Sequence, residues 1–388
     1  MLTARISANA RRELIWITAI YVTARLGVLL VAYLNGTFGH HDIQGELVHW
    51  DGVWYRAIAD HGYPRHVSDR QTNLGFFPLF PITIWAVTPV VEILTAHGRV
   101  WSATIAGLLI SGVGGWIATV FVYRLANSWW GRETARRAVV LFVVFPGAVV
   151  FSMVYSEGLL LPLAAACLWA LQQRRWRSAG VLAGFGTAVQ PAGLVLALAC
   201  LAAAVDELRR SGWRSRNFRE SVLATVLSGT GILAFLGFLW AWTGSPFATY
   251  IAQHRGWDEK TDPLALVHLT TRLANELDPA HFDHPVINPN LIVGLLGVPV
   301  LVLMLVLLWR SRRELSRPAL AWTLGIAFLA VTSEYVPPNP RLLLTAFPGL
   351  MVIARWCSGR RFAVVVAGNA FLLLLLGAMT FTAHILRP

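Results

Sequence analysis

One short segment, about fifty residues into the chain, combines an acid with several aromatic side chains. Asp51 lies between Trp50 and Trp54, and Tyr55 follows directly. Residues 53–60 have helical spacing, which predicts a short amphipathic helix. A carboxylate flanked by aromatic rings could act there as a general base toward a bound sugar hydroxyl. Asp51 could equally serve only to cap the N-terminus of that helix.

A second acid, Glu157, stands in a polar turn between two apolar runs. Because an acid at such a boundary is costly unless it is hydrated or paired, Glu157 is either a functional residue or a solvated turn residue. Between the two acids, residues 73–81 read Asn-Leu-Gly-Phe-Phe-Pro-Leu-Phe-Pro. Their prolines redirect the chain, which is expected of a site and of a simple turn alike.

The sequence shows no pattern typical of a metal site or a disulfide framework. His40-His41-Asp42 places two histidines next to each other, where their side chains point in different directions, and no further ligand is suitably spaced. The three cysteines lie in apolar stretches without a CxxC spacing. We expect no bound metal and no cofactor.

The composition places this chemistry in a membrane. The chain has 388 residues, of which 56% are hydrophobic and 13% are charged. Soluble domains carry about 25% charged residues, so a soluble enzyme is excluded. Apolar runs of about 20 residues, long enough to cross a bilayer, recur along the chain. These features predict an all-α polytopic membrane protein.

The arginines indicate the orientation, because cytoplasmic loops are enriched in basic residues. The basic clusters can all be placed inside if the N-terminus is cytoplasmic and the chain crosses about eleven times. The predicted spans are 14–34, 100–123, 138–154, 156–171, 180–190, 192–205, 220–242, 290–309, 319–334, 342–355 and 362–384. The two that meet at Gln190-Pro191 are too short to cross alone, which predicts half-helices or a dipped hairpin. Arg25, inside the first span, should face other helices and an acid or a carbonyl.

This topology leaves two large outer loops, residues 35–99 and 243–289, within a single membrane domain of residues 1–388. Residues 78–95 are apolar, but a full crossing there would move every later basic cluster outside. We therefore predict an interfacial or membrane-dipping segment. Because the basic residues are scattered among short loops, the net charge of +12 does not indicate a nucleic-acid partner.

Several motifs together resemble those of the PIG-V type of mannosyltransferase, in its actinobacterial branch, within the GT-C class of membrane glycosyltransferases. The resemblance covers most of the first half of the chain, and the second half matches mainly in layout. The matching pieces are Trp50-Asp51, Trp54-Tyr55, Ile58-Ala59, Gly62-Tyr63, Phe76-Phe77-Pro78-Leu79-Phe80-Pro81, Tyr155-Ser156-Glu157, Gln253-His254-Arg255-Gly256-Trp257 and Asn339-Pro340-Arg341-Leu342-Leu343.

The resemblance implies a GT-C fold and an inverting enzyme that takes mannose from a polyprenyl-phosphate carrier at the outer face of the cell membrane. It assigns the role of catalytic base to Asp51 and that of a second acid to Glu157. Trp50, Trp54 and Tyr55 would then border the substrate. The sequence departs from the pattern at Gln190, where relatives often have arginine, which puts a phosphate-binding role at that position in doubt.

A departing polyprenyl phosphate is an anion, so we expect a cation beside it. Arg341 is the first candidate because the preceding Pro337-Pro338-Asn339-Pro340 turn fixes its position. Interfacial anchoring of its side chain is the alternative. His254 and Arg255 in the second large loop are the other candidates.

Two other functions remain open at the level of sequence. A transporter or flippase is suggested by the many spans and by the broken segment at Gln190-Pro191. Against it, the acids cluster in the outer loops and no inverted repeat is visible. The same fold could also use another sugar, such as arabinose. The acceptor could be a glycolipid, a lipoglycan or another glycan, or a protein hydroxyl.

Overall fold

The computed structural model describes residues 8–39, 43–276, 288–333, 337–382 and 386, and this part of the chain is almost entirely helical. In chain order the helices are α1 Ala8–Gly39, α2 Ile43–Leu47, α3 Asp51–His61, α4 Leu79–Thr95, α5 Arg99–Val144, α6 Glu157–Gln172, α7 Trp176–Thr187, α8 Val195–Ser211 and α9 Arg216–Ser228. They continue with α10 Thr230–Thr243, α11 Ala248–Ile251, α12 Ala265–Glu276, α13 Pro289–Arg310, α14 Arg317–Thr332, α15 Pro340–Thr345, α16 Phe347–Trp356 and α17 Gly359–Thr382.

The chain is a polytopic membrane protein, since six of its described helical stretches are long and apolar enough to cross a bilayer. They are Asn9–Phe38, Arg99–Val144, Pro191–Ser211, Arg216–Thr243, Pro289–Arg310 and Gly359–Phe381. A seventh forms if Pro146–Ser152 and Glu157–Gln172, which meet at an angle of 110°, are counted as one broken span. The predicted number of eleven is not confirmed.

The longest helix, α5, corrects one of the predicted spans. The sequence predicts a break between spans at 100–123 and 138–154, and a kink at Gly131 does divide Arg99–Val144 into two helical stretches, but the second stretch begins before residue 138 and ends at Val144. Gly131 has a φ of 79°, a conformation that favours glycine, and it reverses the chain without a long loop. The helix ends before Pro146, and residues 146–152 form a 3₁₀ segment instead of continuing the span.

The break at Gln190-Pro191 is confirmed, but the half-helix predicted after it is wrong, since Pro191–Ser211 is long and apolar enough to cross a bilayer. The helix α7 ends at Thr187, and a short 3₁₀ turn over Pro191–Leu194 leads into α8. Residues 78–95, predicted as interfacial, form the 17-residue helix α4, which continues through Pro89. At that length it falls short of a regular span, so its interfacial placement remains a prediction.

Arg25 in α1 meets the prediction that it should face a carbonyl. Its side chain is buried at 6% exposure. The guanidinium donates to the carbonyl of Ala148 and, at 2.7 Å, to that of Val143. These carbonyls belong to the end of α5 and the following 3₁₀ segment, so Arg25 fixes the chain shortly before Tyr155-Ser156-Glu157.

Candidate active site

The helix α3 carries Asp51 in its first turn. No side-chain hydrogen bond caps this helix, and the residue at its N-cap is Trp50, so the interpretation of Asp51 as the cap is wrong. Trp50 adopts φ 60° and ψ −122°. This is a left-handed conformation that costs a residue with a side chain about 1–3 kcal/mol and often marks functional sites. The strained residue directly precedes Asp51.

Arg341 meets Asp51 although 290 positions separate them. Its Nη1 donates a hydrogen bond of 2.8 Å to Oδ2 of Asp51, and its Nε lies 3.5 Å from Oε1 of Glu157. The guanidinium also lies over the ring of Tyr155, with 5.4 Å between its central carbon and the ring centroid. One cation therefore joins both sequence-predicted acids. Burial alone would lower the pKa of Arg341, but the carboxylates of Glu157 and Asp51 raise it above its ordinary value.

The three side chains differ in exposure. The Glu157 side chain is 2% exposed, that of Arg341 is 16% exposed, and that of Asp51 is 32% exposed. Glu157 therefore lies at the bottom of the cluster, while Asp51 faces open space where a substrate hydroxyl could approach. The Oε2 atom of Glu157 is buried without a hydrogen bond.

Arg341 owes its position to the turn before α15. The side chain of Asn339 accepts a hydrogen bond of 2.9 Å from the backbone N–H of Leu342 and so caps this short helix. Gly147 lies so close to the turn that a Cβ there would collide with the carbonyl of Pro340 and the backbone of Arg341. The proline-rich turn thus rests directly on the 3₁₀ segment that follows α5.

A hydrogen-bond network extends from Glu157. Gln190 Nε2 donates to Oε1 of Glu157 at 3.5 Å, and Ser156 Oγ donates to Oε1 of Gln190 at 2.6 Å. Tyr55 in turn donates to Ser156 Oγ at 2.9 Å. Burial and the neighbouring carboxylate of Asp51 raise the pKa of Tyr55 well above its ordinary value, so the phenol stays protonated and can donate.

In the sequence alone, Gln190 marks a chain break and a departure from a motif, and Ser156 has no separate role. The structure makes both of them partners within the acid cluster. The contiguity of Tyr155-Ser156-Glu157 and the chain break after Gln190 were the available signals.

The remaining candidates occupy the contact between the two large loops. Trp54 stacks on Phe76, with ring centroids 6.0 Å apart, and meets the edge of Trp257 at 5.1 Å. Trp257 donates to the carbonyl of Thr72, and Gln253 donates to that of Gly75. The motif around residue 255 thus docks on the segment that leads into α4.

His254 and Arg255 belong to a π-helical turn over residues 252–256. Arg255 pairs with Asp69 at 3.3 Å, and both side chains are exposed. The ring of His254 lies 5.7 Å from that of Tyr250. Neither residue joins the ion pairs of Asp51 and Glu157.

An apolar groove of about 810 Å³ runs beside the cluster. Its walls come from α3, α4, α7 and α10 and include Ile58, Pro78, Trp85, Phe185, Ala188 and Phe238. At its inner end Leu79 donates a backbone hydrogen bond to Ala188, two residues before Gln190. Ile58 lies two helical turns beyond Asp51, or roughly 10 Å along α3. The groove therefore lies close to both acids, although neither of them lines it.

Within the described residues, no three His, Cys, Asp or Glu side chains are grouped so that they could hold a metal ion. His40, His41 and Asp42 lie outside the described residues.

Comparisons with known proteins identify a family and a fold. The family described as mannosyltransferase (PIG-V) matches residues 33–244. No curated protein sequence matches the chain.

Among solved structures, the apo oligosaccharyltransferase of Archaeoglobus fulgidus is 15% identical with a TM-score of 0.53 over 95% of this chain and 56% of its own. ArnT from Cupriavidus metallidurans in the apo state is 15% identical with a TM-score of 0.53 over 91% of this chain and 62% of its own. The same protein bound to undecaprenyl phosphate has a TM-score of 0.50 at 15% identity, over 94% of this chain and 70% of its own. The chain thus spans little more than half the length of the oligosaccharyltransferase. These neighbours are GT-C membrane enzymes, and the likeness establishes that fold here.

Proposed function

The chain belongs to the mannosyltransferase (PIG-V) family, and on this basis we propose that it transfers mannose from polyprenyl-phosphate-mannose to an acceptor hydroxyl with inversion. The observation that carries the proposal is the contact of Arg341 with both Asp51 and Glu157. This contact brings together a base and a cation. A transfer from a phosphate carrier requires a base beside the attacking hydroxyl and a cation beside the departing phosphate.

The proposed reaction gives Asp51 and Arg341 one task each. Asp51 removes the proton from the acceptor hydroxyl while the acceptor oxygen bonds to the anomeric carbon. The bond from that carbon to the phosphate oxygen breaks on the opposite face, and polyprenyl phosphate leaves as an anion. Arg341 stabilises the negative charge that develops, because a guanidinium can offer two parallel hydrogen bonds to a phosphate.

Glu157 serves as the second acid by holding Arg341. An isolated carboxylate at 2% exposure would be costly, so Glu157 is held by its ion pair with Arg341 and by its hydrogen bond from Gln190. Because Glu157 is fixed, it keeps the Arg341 guanidinium in place when the donor binds. When the phosphate binds, the guanidinium can turn part of its hydrogen bonding from Asp51 to the donor. That exchange would release Asp51 to act as a base only in the loaded site.

The apolar groove supports a lipid-linked donor. Its 810 Å³ and its aromatic and aliphatic walls suit an isoprenoid chain, whose burial contributes about 25 cal/mol for each Å². Solved structural neighbours include complexes with undecaprenyl phosphate and with a dolichol-phosphate. We assign the carrier chain of the donor to this groove.

The placement of the site at the outer face rests on the arginine distribution. With the basic clusters inside, both large loops lie outside, and with them lies Asp51, which Arg341 joins to Glu157. The acceptor is then a glycolipid, a lipoglycan or another glycan that reaches this surface. No nucleic acid, metal or cofactor takes part in the proposed reaction.

Transfer by the purified protein tests this function. Synthetic polyprenyl-phosphate-mannose with a radiolabelled sugar should yield labelled product when membrane glycolipids are supplied as acceptors. The matching arabinose donor should give much less product. Transfer from arabinose alone would overturn the assignment of mannose, and no transfer from either donor to any lipid or glycan acceptor would overturn the proposal.

A further inference from the structure

A second pocket, of about 570 Å³, lies between the beginning of α1 and the stretch of α5 that reaches its Gly131 turn. It is remote from the candidate active site. The cluster contacts α5 at Ser111, which bonds to Tyr155, whereas the pocket begins near residue 120. From Ser111 to Arg124 the helix advances roughly 20 Å. The two sites therefore lie roughly 20 Å apart along the stretch of α5 that precedes Gly131.

The polar side of this pocket is built around a buried acid. Glu13 is 7% exposed and accepts hydrogen bonds from Arg132 at 2.7 Å and from Arg136 at 2.8 and 3.0 Å. Arg124 lines the same pocket, with its guanidinium 5.3 Å from the ring of Phe121. Within the described part of the chain no carboxylate forms an ion pair with Arg124. Two guanidinium groups thus bind the Glu13 carboxylate, and Arg124 adds a further positive charge to the lining, which leaves the pocket cationic.

The other side of the pocket is aliphatic. Leu14, Ile17 and Val120 line it on the part of the two helices that continues into the apolar spans. Asn127 adds an amide next to the arginines. The pocket thus offers cations and an amide at one end and hydrocarbon contact at the other.

We propose that this pocket binds an anionic phospholipid, with the phosphate on Arg124 and Arg132 and an acyl chain along the aliphatic wall. Basic pockets between membrane helices recognise such headgroups in general. A free phosphate would use the arginines but gain nothing from the aliphatic wall. A zwitterionic lipid would use the wall but lose the charge match. The assignment does not depend on the proposed transferase activity.

Thermal stability of the detergent-solubilised protein tests this site. Dioleoylphosphatidylglycerol should raise Tm at concentrations where dioleoylphosphatidylcholine and inorganic phosphate do not. Arg124→Gln should weaken the apparent affinity for phosphatidylglycerol about tenfold, the loss expected for one charge-assisted contact. Arg210→Gln removes an exposed arginine at the end of α8 and should leave the affinity unchanged.

Asn127→Leu provides a second variant, since it keeps every charge and should weaken binding by a smaller factor while the protein stays folded. Equal affinity of the wild type, Arg124→Gln and Asn127→Leu would overturn the proposal. An equal Tm shift with inorganic phosphate would show a simple anion site, and an equal shift with phosphatidylcholine would show a non-selective lipid contact. Either result would contradict the assignment.

Discussion

Arg341 donates a hydrogen bond of 2.8 Å to Asp51, the residue that the sequence singles out as the base. Nε of the same guanidinium lies 3.5 Å from Glu157. The Arg341 side chain therefore connects α15 with the first large loop and with the start of α6. Charges at a membrane boundary are costly when isolated, so the positive charge of Arg341 offsets the cost of placing Asp51 and Glu157 there, and the two carboxylates offset that of Arg341. The cluster is therefore held together by contacts among the protein's own side chains.

Substitution of Arg341 should have graded effects. Arg341→Lys keeps the charge but loses the planar pair of donors, so it should retain some turnover, whereas Arg341→Ala should lose most of it. Both should weaken the binding of polyprenyl-phosphate-mannose more than that of the acceptor, as measured by Kd for each substrate. Arg177→Ala, which removes an exposed arginine paired with Glu220 away from the groove, is the control and should leave donor affinity unchanged.

An unchanged donor Kd for Arg341→Ala would contradict the phosphate assignment. If Arg255→Ala weakened donor binding instead, the phosphate site would move to the π-helical turn.

Gly147→Ala should reduce turnover without touching the substrate. The added methyl group would collide with the backbone of Pro340 and Arg341, so the turn that aims the guanidinium must shift. Displacements of about 1 Å can cost roughly 10²-fold in rate. Gly237→Ala, on α10 with nothing near its Cβ position, is the matched control. It should keep full turnover and gain roughly 0.5–1 kcal/mol in stability. Equal kcat for Gly147→Ala and the control would show that this turn does not position Arg341 for turnover.

Filling the apolar groove should raise KM for the lipid-linked donor. Ala234 lines the groove, so the indole side chain of the Ala234→Trp variant would fill part of the space proposed to hold the carrier chain. Leu233→Trp places the same side chain at a neighbouring position that is 66% exposed and should leave KM unchanged. The comparison needs donors with long and short isoprenoid chains. If Ala234→Trp had the same KM as Leu233→Trp with the long-chain donor, the groove would not hold the carrier.

The topology predicts which positions reagents can reach. In a Cys357→Ser background, a cysteine at Ser178 should resist a membrane-impermeant thiol reagent in intact cells, and one at Ser68 should react. Cys167 and Cys200 are buried and should stay silent. Labelling at Ser178 would mean that α4 crosses the membrane and that the loops between later spans are inverted.

The sequence was sufficient to select Asp51, Glu157 and Arg341, because acids and cations at apolar boundaries are costly and therefore informative. It could not show that they touch, since no local pattern connects residues 290 positions apart. Arg25 was easier to predict because a cation inside a span must find a carbonyl or an acid, and it finds Ala148 and Val143. Gln190 was harder, since its role depends on a tertiary contact with Glu157.

The prediction was least accurate where helices bend. Hydropathy suggested a separate span at 138–154, but a single glycine turns α5 and a proline ends it. Backbone conformations of this kind are set by one residue and by packing, while apolar periodicity averages over many residues. The same limitation explains why 342–355, predicted as one span, is divided between α15 and α16.

The most direct measurement is the turnover of Asp51→Asn with a saturating lipid-linked donor. The amide nearly preserves the shape of the carboxylate but cannot accept the acceptor proton, so kcat should fall by about 10²–10⁴-fold while donor affinity remains. Asp258→Asn, which alters an exposed acid of the second large loop, should retain wild-type turnover. Near-normal kcat for Asp51→Asn in a folded protein would contradict the assignment of Asp51 as the general base.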